Sequence, residues 1–569
     1  MLPNIWTQGQ LFAFSALDGE SHIEDDLPGI LCGDKLGIRF FTKVKRELVI
    51  TGIKGFVPTF ETVTGDVIVV ETNAEPMHIL FAQRHLVIGN TAAGADVVVL
   101  TEGEHTLSKN GNITIQDTGD GDFTALYKDG NRFAFAYGHA PEEVTRLAMA
   151  GIQLSVQQIK ERNLALYRQF YLPSENPYAR LYGKCISVMK TQLYSPEGQF
   201  QRIWSTPDRL PHKRLWLWDS VFHAIGHRNL HPEIAEGLIL AVLDTQTEDG
   251  FIPHMAAPEK ISAIIQPPVI AWGAWKVYEK SGNKDFLRKI FLGNKAFLLW
   301  CRENRRESQA ERYTWKTTNI VTCRCDECGM DNSPRFDLVT RLEAIDFTCF
   351  MANDVRAMAK IAEELGEADQ VAFFKEWYGQ LRAAVNEKLW DEADGFYYDY
   401  DMQNERLHKV ASVASFLPLF AGVCDETQAA ALVAQLQDSE RFGAPFPVPS
   451  ISKKDPTYGT DMWRGAVWIN YNYMIAEGLE AYGYTDLAEE IRDKTVENLN
   501  TWYLKKGTLF EFYDSENRCA PNEMNRKGPV YEPYDFTVRM QSIRDYGWSN
   551  TLCLDLLHIN YTKKERLTQ

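Results

Sequence analysis

The chain of 569 residues is 45% hydrophobic and 12% aromatic and carries a formal net charge of −17. Its length exceeds what one ordinary hydrophobic core supports, so we expect two or more domains. The acidic balance argues against nucleic acid and anionic membrane surfaces as partners, because both bind through clustered Lys and Arg.

The first ten residues, MLPNIWTQGQ, contain no basic segment followed by an apolar run, which is the pattern of a signal peptide. No stretch reaches the roughly eighteen uninterrupted apolar residues of a membrane-spanning helix. We therefore expect a cytoplasmic protein with no membrane partner. In a reducing compartment most of the ten cysteines are expected to be small, buried, apolar side chains.

Residues 1–140 contain short runs rich in β-branched and aromatic side chains, separated by Gly, Asp and Asn. The runs lie at 48–52, 66–71, 79–82, 96–100 and 133–137. Many short strands with regular turn signals are typical of two packed antiparallel sheets. The pattern predicts an N-terminal antiparallel β-sandwich domain over residues 1–140.

The pattern changes from β to helical at Pro141, which is followed by two acidic residues, as in the first turn of a helix. Apolar residues recur at helical spacing as far as Ile159. We predict a helical linker over residues 141–174.

Amphipathic segments alternate with loops marked by Gly and Pro from residue 175 to residue 569. The predicted helices cover 233–245, 269–281, 285–304, 346–365, 368–389, 426–437, 468–482, 487–503 and 548–557. Many helices without a short sequence repeat indicate a mostly α domain, built as a toroid of helical hairpins. The segments richest in polar, charged and aromatic side chains lie in the loops between helices, where binding and catalytic residues usually lie.

One short segment, Trp216-Leu217-Trp218-Asp219, places a carboxyl group between indole rings. An acid held among aromatic side chains tends to stay protonated, because burial disfavours the ionised form, and a protonated carboxyl can act as a general acid. Indole rings also stack on the C–H faces of sugars. The alternative is a core helix that Asp219 caps at its N-terminus, and the segment alone favours neither interpretation.

Three loops carry polar side chains that could bind a sugar. His254 follows a Gly turn, although a single histidine is more often a packed side chain. Gln266 precedes two prolines at a helix start and can exchange hydrogen bonds with a hydroxyl group, or is simply a polar loop residue. Asp331 and Asn332 lie in a turn bounded by Gly and Pro, where they either form the turn or bind neighbouring sugar hydroxyls.

Three cysteines, Cys323, Cys325 and Cys328, lie just before this turn. Three thiolates could bind zinc, but no fourth ligand follows at a zinc-finger spacing. We favour free thiols in a loop over a metal site, and metal analysis of the purified protein separates the two.

A dense group of polar and aromatic side chains at 461–473 includes Trp463, Arg464 and Trp468. Burying Arg464 without a partner would be costly, so we expect a carboxylate or a substrate oxygen beside it.

A second carboxylate is required if Asp219 is a catalytic acid. Glu511 lies between Phe510 and Phe512 in a strand-like alternation and is our candidate. The nearby acids are expected to be solvated loop residues; they are Asp514, Glu516, Glu523 and Glu532.

Taken in order, these segments resemble those of glycoside hydrolase family 63 and its bacterial mannosylglycerate and glucosylglycerate hydrolase members. The resemblance covers roughly residues 180–560 and rests on blocks at 216–223, 250–254, 266–268, 329–336, 463–473, 510–514 and 546–550. It implies an (α/α)6 barrel and an inverting, exo-acting α-glycosidase. Such an enzyme releases a terminal α-linked glucose or mannose from a small glycoside or oligosaccharide, without a metal ion or another cofactor.

The resemblance also implies roles for individual residues. Asp219 becomes the general acid and Glu511 the general base. The remaining predicted substrate-binding residues are Trp216, Trp218, His254, Gln266, Asp331, Asn332, Trp463, Arg464 and Trp468. A long polar insertion at 517–544 replaces the short loop of the smaller relatives, which implies a reshaped aglycone side.

Other function classes remain open from the sequence. A trehalase-like or other (α/α)6 enzyme would process a disaccharide, and a phosphorylase of this barrel type would bind phosphate and lack the base that Glu511 provides. A non-catalytic carbohydrate-binding protein would keep the tryptophans and need neither carboxylate. The sequence does not identify the sugar, the linkage or the aglycone. It does not indicate the oligomeric state either.

Overall fold

The structure is a computed structural model that describes residues 30–31, 36–40, 46–52, 59–63, 66–170 and 176–568, without 74, 84, 102, 120, 195, 197, 209–211, 213, 321–322 and 528–541. The chain divides into two compact units. The first comprises Met1–Tyr194, Asp208–His212 and Trp502–Leu509, and the second comprises Ser195–Pro207, Lys213–Thr501 and Phe510–Gln569.

The first unit contains two antiparallel sheets. The smaller sheet has the strand order β1-β2-β3-β8, from β1 (Ile30–Leu31), β2 (Leu36–Phe40), β3 (Arg46–Thr51) and β8 (Asp96–Thr101). The larger sheet has the order β4-β5-β6-β7-β12-β11-β10-β9. Its strands are β4 (Thr59–Val63), β5 (Val67–Glu71), β6 (Met77–Gln83), β7 (Leu86–Asn90), β9 (Thr106–Asn110), β10 (Ile113–Asp117), β11 (Phe123–Asp129) and β12 (Arg132–Gly138).

Alternating side chains explain how the two sheets pack. Leu48 and Ile50 of β3 share one buried apolar cluster with Ile79 and Phe81 of β6. Successive side chains of a strand face opposite ways, so Leu80 lies in a second cluster on the other face of the larger sheet. The β-rich N-terminal region predicted from the sequence is confirmed, as two antiparallel sheets with a common core.

The predicted linker consists of two helices, α1 (Pro141–Gly151) and α2 (Val156–Phe170). Proline at the first position and two acids in the first turn suit the start of α1. Val144 and Ala148 of α1 and Ile159 of α2 lie in the second apolar cluster of the sheet. The two helices therefore cover the larger sheet, while the domain boundaries near residues 140 and 174 stay predictions.

One ion pair is buried in the first unit. Lys190, in helix α3 (Ala179–Thr191), donates from Nζ to Asp66 Oδ2 at 2.5 Å, and the two side chains are 1% and 0% exposed. The pKa of Lys190 is lowered, because burial outweighs the attraction of Asp66.

Helices dominate the second unit, as predicted. They are α4 (Leu217–His227), α5 (Pro232–Leu243), α6 (Ile270–Ser281), α7 (Lys284–Asn304), α8 (Ile345–Leu365), α9 (Ala368–Lys388), α10 (Leu417–Ala421), α11 (Glu426–Gln437), α12 (Ile469–Ala481) and α14 (Gly547–Thr568), while α13 (Thr485–Lys506) has residues in both units. Every helix predicted between residues 233 and 557 is present. The short helix α10 escaped the prediction, because five residues hold too little periodic signal.

Alternate helices of the second unit contact one another in a closed cycle. In this cycle α4 contacts α6, α6 contacts α8, α8 contacts α10, α10 contacts α12, α12 contacts α14, and α14 contacts α4. The intervening helices pack on their neighbours, since α5 contacts α4 and α6, and α7 contacts α6 and α8. No helix in the described part of the chain is long and apolar enough to cross a membrane.

Candidate active site

Asp219 lies in the first turn of α4 and is 2% exposed. The helix begins after the extended residue Trp216, which is its N-cap residue, so Asp219 is not the cap that the alternative interpretation assumed. Gln266 Oε1 accepts a hydrogen bond from the backbone N–H of Trp218 at 3.2 Å. Gln266 therefore satisfies one of the N–H groups that a helix start leaves unpaired, and it fixes the turn that carries Asp219.

The indole next to Asp219 is enclosed from two directions. The rings of Trp218 and Trp548 meet edge to face, with centroids 5.4 Å apart. Gly329 approaches so closely that a Cβ there would lie 2.4 Å from Cζ2 of Trp218, and its φ of +73° also favours glycine. The loop before Asp331 is thus packed directly against the tryptophan that precedes the predicted acid.

The same aromatic cluster reaches the segment of the second predicted acid. Trp548 contacts Trp468 at 5.7 Å, and Trp468 contacts Phe512, the neighbour of Glu511, at 5.0 Å. Trp463 stacks on Trp468 with centroids 3.8 Å apart and planes 2° from parallel. We call this set the aromatic wall; its members are Trp218, Trp463, Trp468, Phe512 and Trp548. It brings the segments of both predicted carboxylates to one place.

Two indole N–H groups of the aromatic wall are free to donate. Nε1 of Trp463 and Nε1 of Trp548 are buried and meet no acceptor among the residues that the structure describes. Buried indole N–H groups usually have a partner, so a hydroxyl oxygen of a bound sugar suits these two. Trp468 differs, because its Nε1 donates to the carbonyl of Met462 at 3.1 Å. Trp548 was missing from the predicted site, although its block at 546–550 carried the signal.

Glu511 is 2% exposed and is held by an arginine of the insertion. Arg526 donates from Nε to Oε2 at 2.7 Å and from Nη2 to Oε1 at 3.2 Å. Burial acts to lower the pKa of Arg526, but the attraction of Glu511 and Asp331 outweighs it and raises the pKa. Sequence reasoning missed Arg526, since only the insertion itself was recognised.

Asp331 is held by the next residue of the insertion. Lys527 Nζ lies 2.6 Å from Asp331 Oδ2. Burial acts to raise the pKa of Asp331, but the Lys527 ammonium outweighs it, so the pKa lies below its ordinary value. Burial lowers the pKa of His254 to about 4, partly offset by Asp331, so this imidazole is neutral at neutral pH.

His254 and Asn332 support the backbone of the site. The carbonyl of His254 accepts from the N–H of Leu217 at 3.0 Å, and its ring meets that of Trp216 edge to face at 5.0 Å. Asn332 Oδ1 accepts from the backbone N–H of Trp463 at 3.0 Å. These contacts hold neighbouring predicted site residues in place, and direct contact of His254 or Asn332 with a sugar stays a prediction.

Arg464 has the carboxylate partner expected from its burial, since its Nη2 donates to Asp337 Oδ1 at 2.7 Å. Among the acids near Glu511, the expectation of solvated loop residues is wrong for Asp514. Asp514 is 1% exposed and accepts hydrogen bonds from Arg518, because it lies in a short strand (Tyr513–Asp514) paired with Ala466–Val467. Glu532 lies outside the described residues.

Within the described part of the chain, the thiols of Cys323, Cys325 and Cys328 do not form a three-ligand group as a zinc site would require. Cys325 and Cys328 are fully buried, and Cys328 Sγ donates to the carbonyl of Cys325 at 3.2 Å. Among the described residues, the group with metal-ligand geometry is Cys323, Asp326 and Asp331. Lys527 Nζ contacts Cys323 Sγ at 3.4 Å and pairs with Asp331, so an ammonium already supplies the positive charge there.

Comparisons with known proteins identify a family for this chain. A family model described as the mannosylglycerate hydrolase MGH1-like glycoside hydrolase domain matches residues 211–549. A mannosylglycerate hydrolase of Thermus thermophilus is 28% identical over 49% of this chain and 84% of that protein. An uncharacterised protein of Borreliella burgdorferi is 25% identical over 43% of this chain, and the match covers 50% of that protein.

A crystal structure of a GH63 mannosylglycerate hydrolase from Thermus thermophilus in complex with glucose has the same fold. The TM-score is 0.54 and the identity 24%, over 66% of this chain and 99% of that chain. The family match spans more than half of the chain, so the protein is a member of a glycoside hydrolase family. That family is the one described as the mannosylglycerate hydrolase MGH1-like glycoside hydrolase domain.

Proposed function

We propose that the protein is an inverting, exo-acting α-glycosidase with Asp219 as general acid and Glu511 as general base. The observation that carries the proposal is the aromatic wall. Trp218 adjoins Asp219, Phe512 adjoins Glu511, and Trp548 and Trp468 connect the two rings. Segments that lie far apart in sequence thus meet at one cluster of aromatic rings, which supports a sugar-binding site there.

The second unit is proposed to be an (α/α)6 barrel. The cycle of contacts through α4, α6, α8, α10, α12 and α14 supports this architecture, with α5, α7 and α9 packed on the outside. In such a barrel the loops at one end meet above the ring of inner helices. This arrangement accounts for the meeting of the Asp219 and Glu511 segments.

The mechanism follows from two carboxyl groups in different protonation states. Protonated Asp219 donates its proton to the glycosidic oxygen as the bond to the anomeric carbon breaks. Ionised Glu511 accepts a proton from a water molecule that attacks the anomeric carbon from the opposite face. The proposal requires a separation of roughly 6.5–9.5 Å between the carboxyl groups, so that this water fits between them.

Substrate contacts are proposed from the wall and its surroundings. Trp463 and Trp548 donate their N–H groups to hydroxyls of the terminal glucose or mannose, and Asp331 accepts from another hydroxyl. Several relatives are named mannosylglycerate hydrolases, which supports a small glycoside of this kind as the substrate. A screen of mannosylglycerate, glucosylglycerate, trehalose and other α-linked disaccharides identifies the aglycone.

Asp219→Asn and Glu511→Gln test the two roles separately. Fluoride leaves an α-glycosyl fluoride with little help from an acid, whereas the departing oxygen of a glycoside requires a proton. We expect Asp219→Asn to lose about 10²–10⁴-fold in kcat on the glycoside but to retain most turnover of the matching fluoride. Glu511→Gln is expected to lose both activities.

A matched control for these variants is Asp514→Asn, because Asp514 is equally buried three residues beyond Glu511 and pairs with Arg518. It is expected to lower stability and to leave the kcat of the folded enzyme near the wild-type value. Near-normal glycoside hydrolysis by either active-site variant would remove that residue from its role. Sugar binding without hydrolysis across the whole screen would instead indicate a carbohydrate-binding protein.

A further inference from the structure

The guanidinium group of Arg526, in the insertion, forms a bidentate contact with the proposed base, Glu511. Nε and Nη2 of Arg526 reach the two carboxylate oxygens of Glu511 at 2.7 and 3.2 Å. The side chains are only 4% and 2% exposed, so water screens the pair poorly. Each oxygen of an ionised carboxylate has a second lone pair, so this contact still leaves a site for the attacking water.

Arg526 is itself fixed by its neighbours in the insertion. The carbonyl of Asn525 accepts from the N–H of Met462 at 3.1 Å, and the N–H of Lys527 donates to Asp461 Oδ1 at 2.9 Å. Lys527 has a φ of 61° and Met462 a φ of 44°, which non-glycine residues adopt only where surrounding contacts impose them. The segment that carries Arg526 is therefore held from both sides.

Among the described residues, the charged and titratable groups around this pair include Asp331, Lys527, Asp326 and the Tyr546 hydroxyl. Arg526 interacts with Glu511, Asp331 and the Tyr546 hydroxyl, and Lys527 neutralises Asp331 from the next position. Glu511 and Asp331 thus each pair with a cation, while burial and the neighbouring Asp331 raise the pKa of Asp326. A buried carboxylate without a cation takes up a proton, because burial disfavours the ionised form.

We propose that Arg526 is a positioning residue that keeps the base of the reaction ionised and correctly oriented. The inference rests on the proposed role of Glu511 and extends it to a residue in the insertion. Arg526 touches neither the sugar nor the attacking water in this scheme. It acts through Glu511, by compensating its charge and by fixing both of its oxygens.

A competing account makes Arg526 a plug that covers Glu511 until substrate displaces it. The two accounts predict opposite results. Removing a plug raises activity or lowers KM, whereas removing a positioning residue lowers kcat. The plug account also requires the segment to leave, against the contacts that Asn525 and Lys527 make with the 461–462 turn.

The test is the pH profile of Arg526→Gln, with hydrolysis of α-mannosyl or α-glucosyl fluoride as the readout, whichever the wild type accepts. At neutral pH we expect kcat to fall by about 100-fold or more, with KM changed less than about threefold. Activity should recover as the pH rises, because Glu511 then loses the proton that it holds in the variant. Arg526→Lys keeps the charge but not the bidentate contact. Its kcat should therefore lie between those of the wild type and Arg526→Gln.

Chemical rescue provides a second readout. Arg526→Ala leaves room beside Glu511 for a small planar cation, so guanidinium at non-denaturing concentration should restore part of kcat, whereas sodium should not. Arg518→Gln is the matched control, since Arg518 pairs with Asp514 in the same segment and is 49% exposed. It should show the wild-type pH profile and no rescue.

Three outcomes would overturn the inference: unchanged activity of Arg526→Gln, increased activity, or a uniform loss that neither alkaline pH nor guanidinium relieves. The parallel measurement of Glu511→Gln separates this failure from that of the proposed function. If Glu511→Gln is inactive while Arg526→Gln is normal, only the role of Arg526 is wrong. If Glu511→Gln is active, the assignment of the base is wrong.

Discussion

Two buried ion pairs, one in each compact unit, are proposed to serve different purposes. In the first unit Lys190 meets Asp66 at 2.5 Å, and in the second Arg526 meets Glu511 at 2.7 Å. Both pairs are almost fully buried, so burial and pairing alone do not distinguish a structural charge from a chemical one. The difference is the surroundings: the neighbour of Glu511 belongs to the aromatic wall, whereas Asp66 lies beside the apolar sheets of the first unit.

The largest effect is expected when the ion pair of Lys190 and Asp66 is broken. Lys190→Met removes one of the cations that attract the buried Asp66, another being Arg162, so we expect a loss of up to about 3–5 kcal/mol in the free energy of unfolding. The double variant Lys190→Met/Asp66→Asn should recover part of this loss. Urea unfolding measures both, and kcat of the folded fraction should stay unchanged. A lower kcat at unchanged stability would contradict the structural role assigned to the pair of Lys190 and Asp66.

A smaller effect is expected where the second unit packs a loop against Trp218. Gly329→Ala places a Cβ 2.4 Å from Trp218 Cζ2 and should cost about 1–3 kcal/mol in stability and lower kcat/KM. Gly366→Ala is the control, because Gly366 has a similar φ of +78° but nothing within 4 Å of a Cβ. Equal kcat/KM values for the two variants would show that this contact does not shape the site.

The pH dependence of stability should also differ between the units. Burial lowers the pKa of His223 in α4 to about 3. Below the ordinary pKa of about 6.5 the unfolded chain binds a proton that the folded chain does not, so acidification destabilises the fold by up to about 1.4 kcal/mol per pH unit. His223→Gln removes this contribution. Urea unfolding at several pH values should then give a flatter slope for the variant, and an identical slope would contradict the burial of a neutral imidazole.

The smallest expected effect concerns one hydrogen bond of the aromatic wall. Trp548→Phe keeps an aromatic ring but loses the N–H, which we expect to cost about 0.5–1.5 kcal/mol in transition-state binding, or up to about tenfold in kcat/KM. Trp377→Phe is the control, since Trp377 donates to Glu311 at 2.8 Å in the core of the second unit. It should lower stability without changing kcat/KM. Equal kcat/KM effects would exclude a specific role for Trp548.

Periodic patterns explain what could be predicted from the sequence. Strands such as β6 are short apolar runs between turn residues, and helices such as α8 repeat apolar side chains at helical spacing, so their existence was predicted. Asp219 and Glu511 carry no such period and were predicted from their aromatic neighbours and from the resemblance of their blocks. Gln266 was predicted as a sugar ligand, which stays a prediction, and the contact of its Oε1 with the N–H of Trp218 was not predicted.

Arg526 and Lys527 could not be predicted in this way. Their partners Glu511 and Asp331 lie in other loops, and an ion pair formed across loops leaves no local signal. The positive φ of Lys527 is equally invisible in the sequence, because nothing in the residue type requires it. A tandem of two basic residues inside a polar insertion was the available hint.

The central claim is that two separate carboxyl groups act on opposite faces of the sugar. The most direct measurement is the proton NMR spectrum of the sugar during the first turnovers, before mutarotation mixes the anomers. An α-linked substrate should release the β anomer, because water attacks from the face opposite the leaving group. Initial release of the α anomer would contradict the assignment of Asp219 and Glu511 as an acid and base pair.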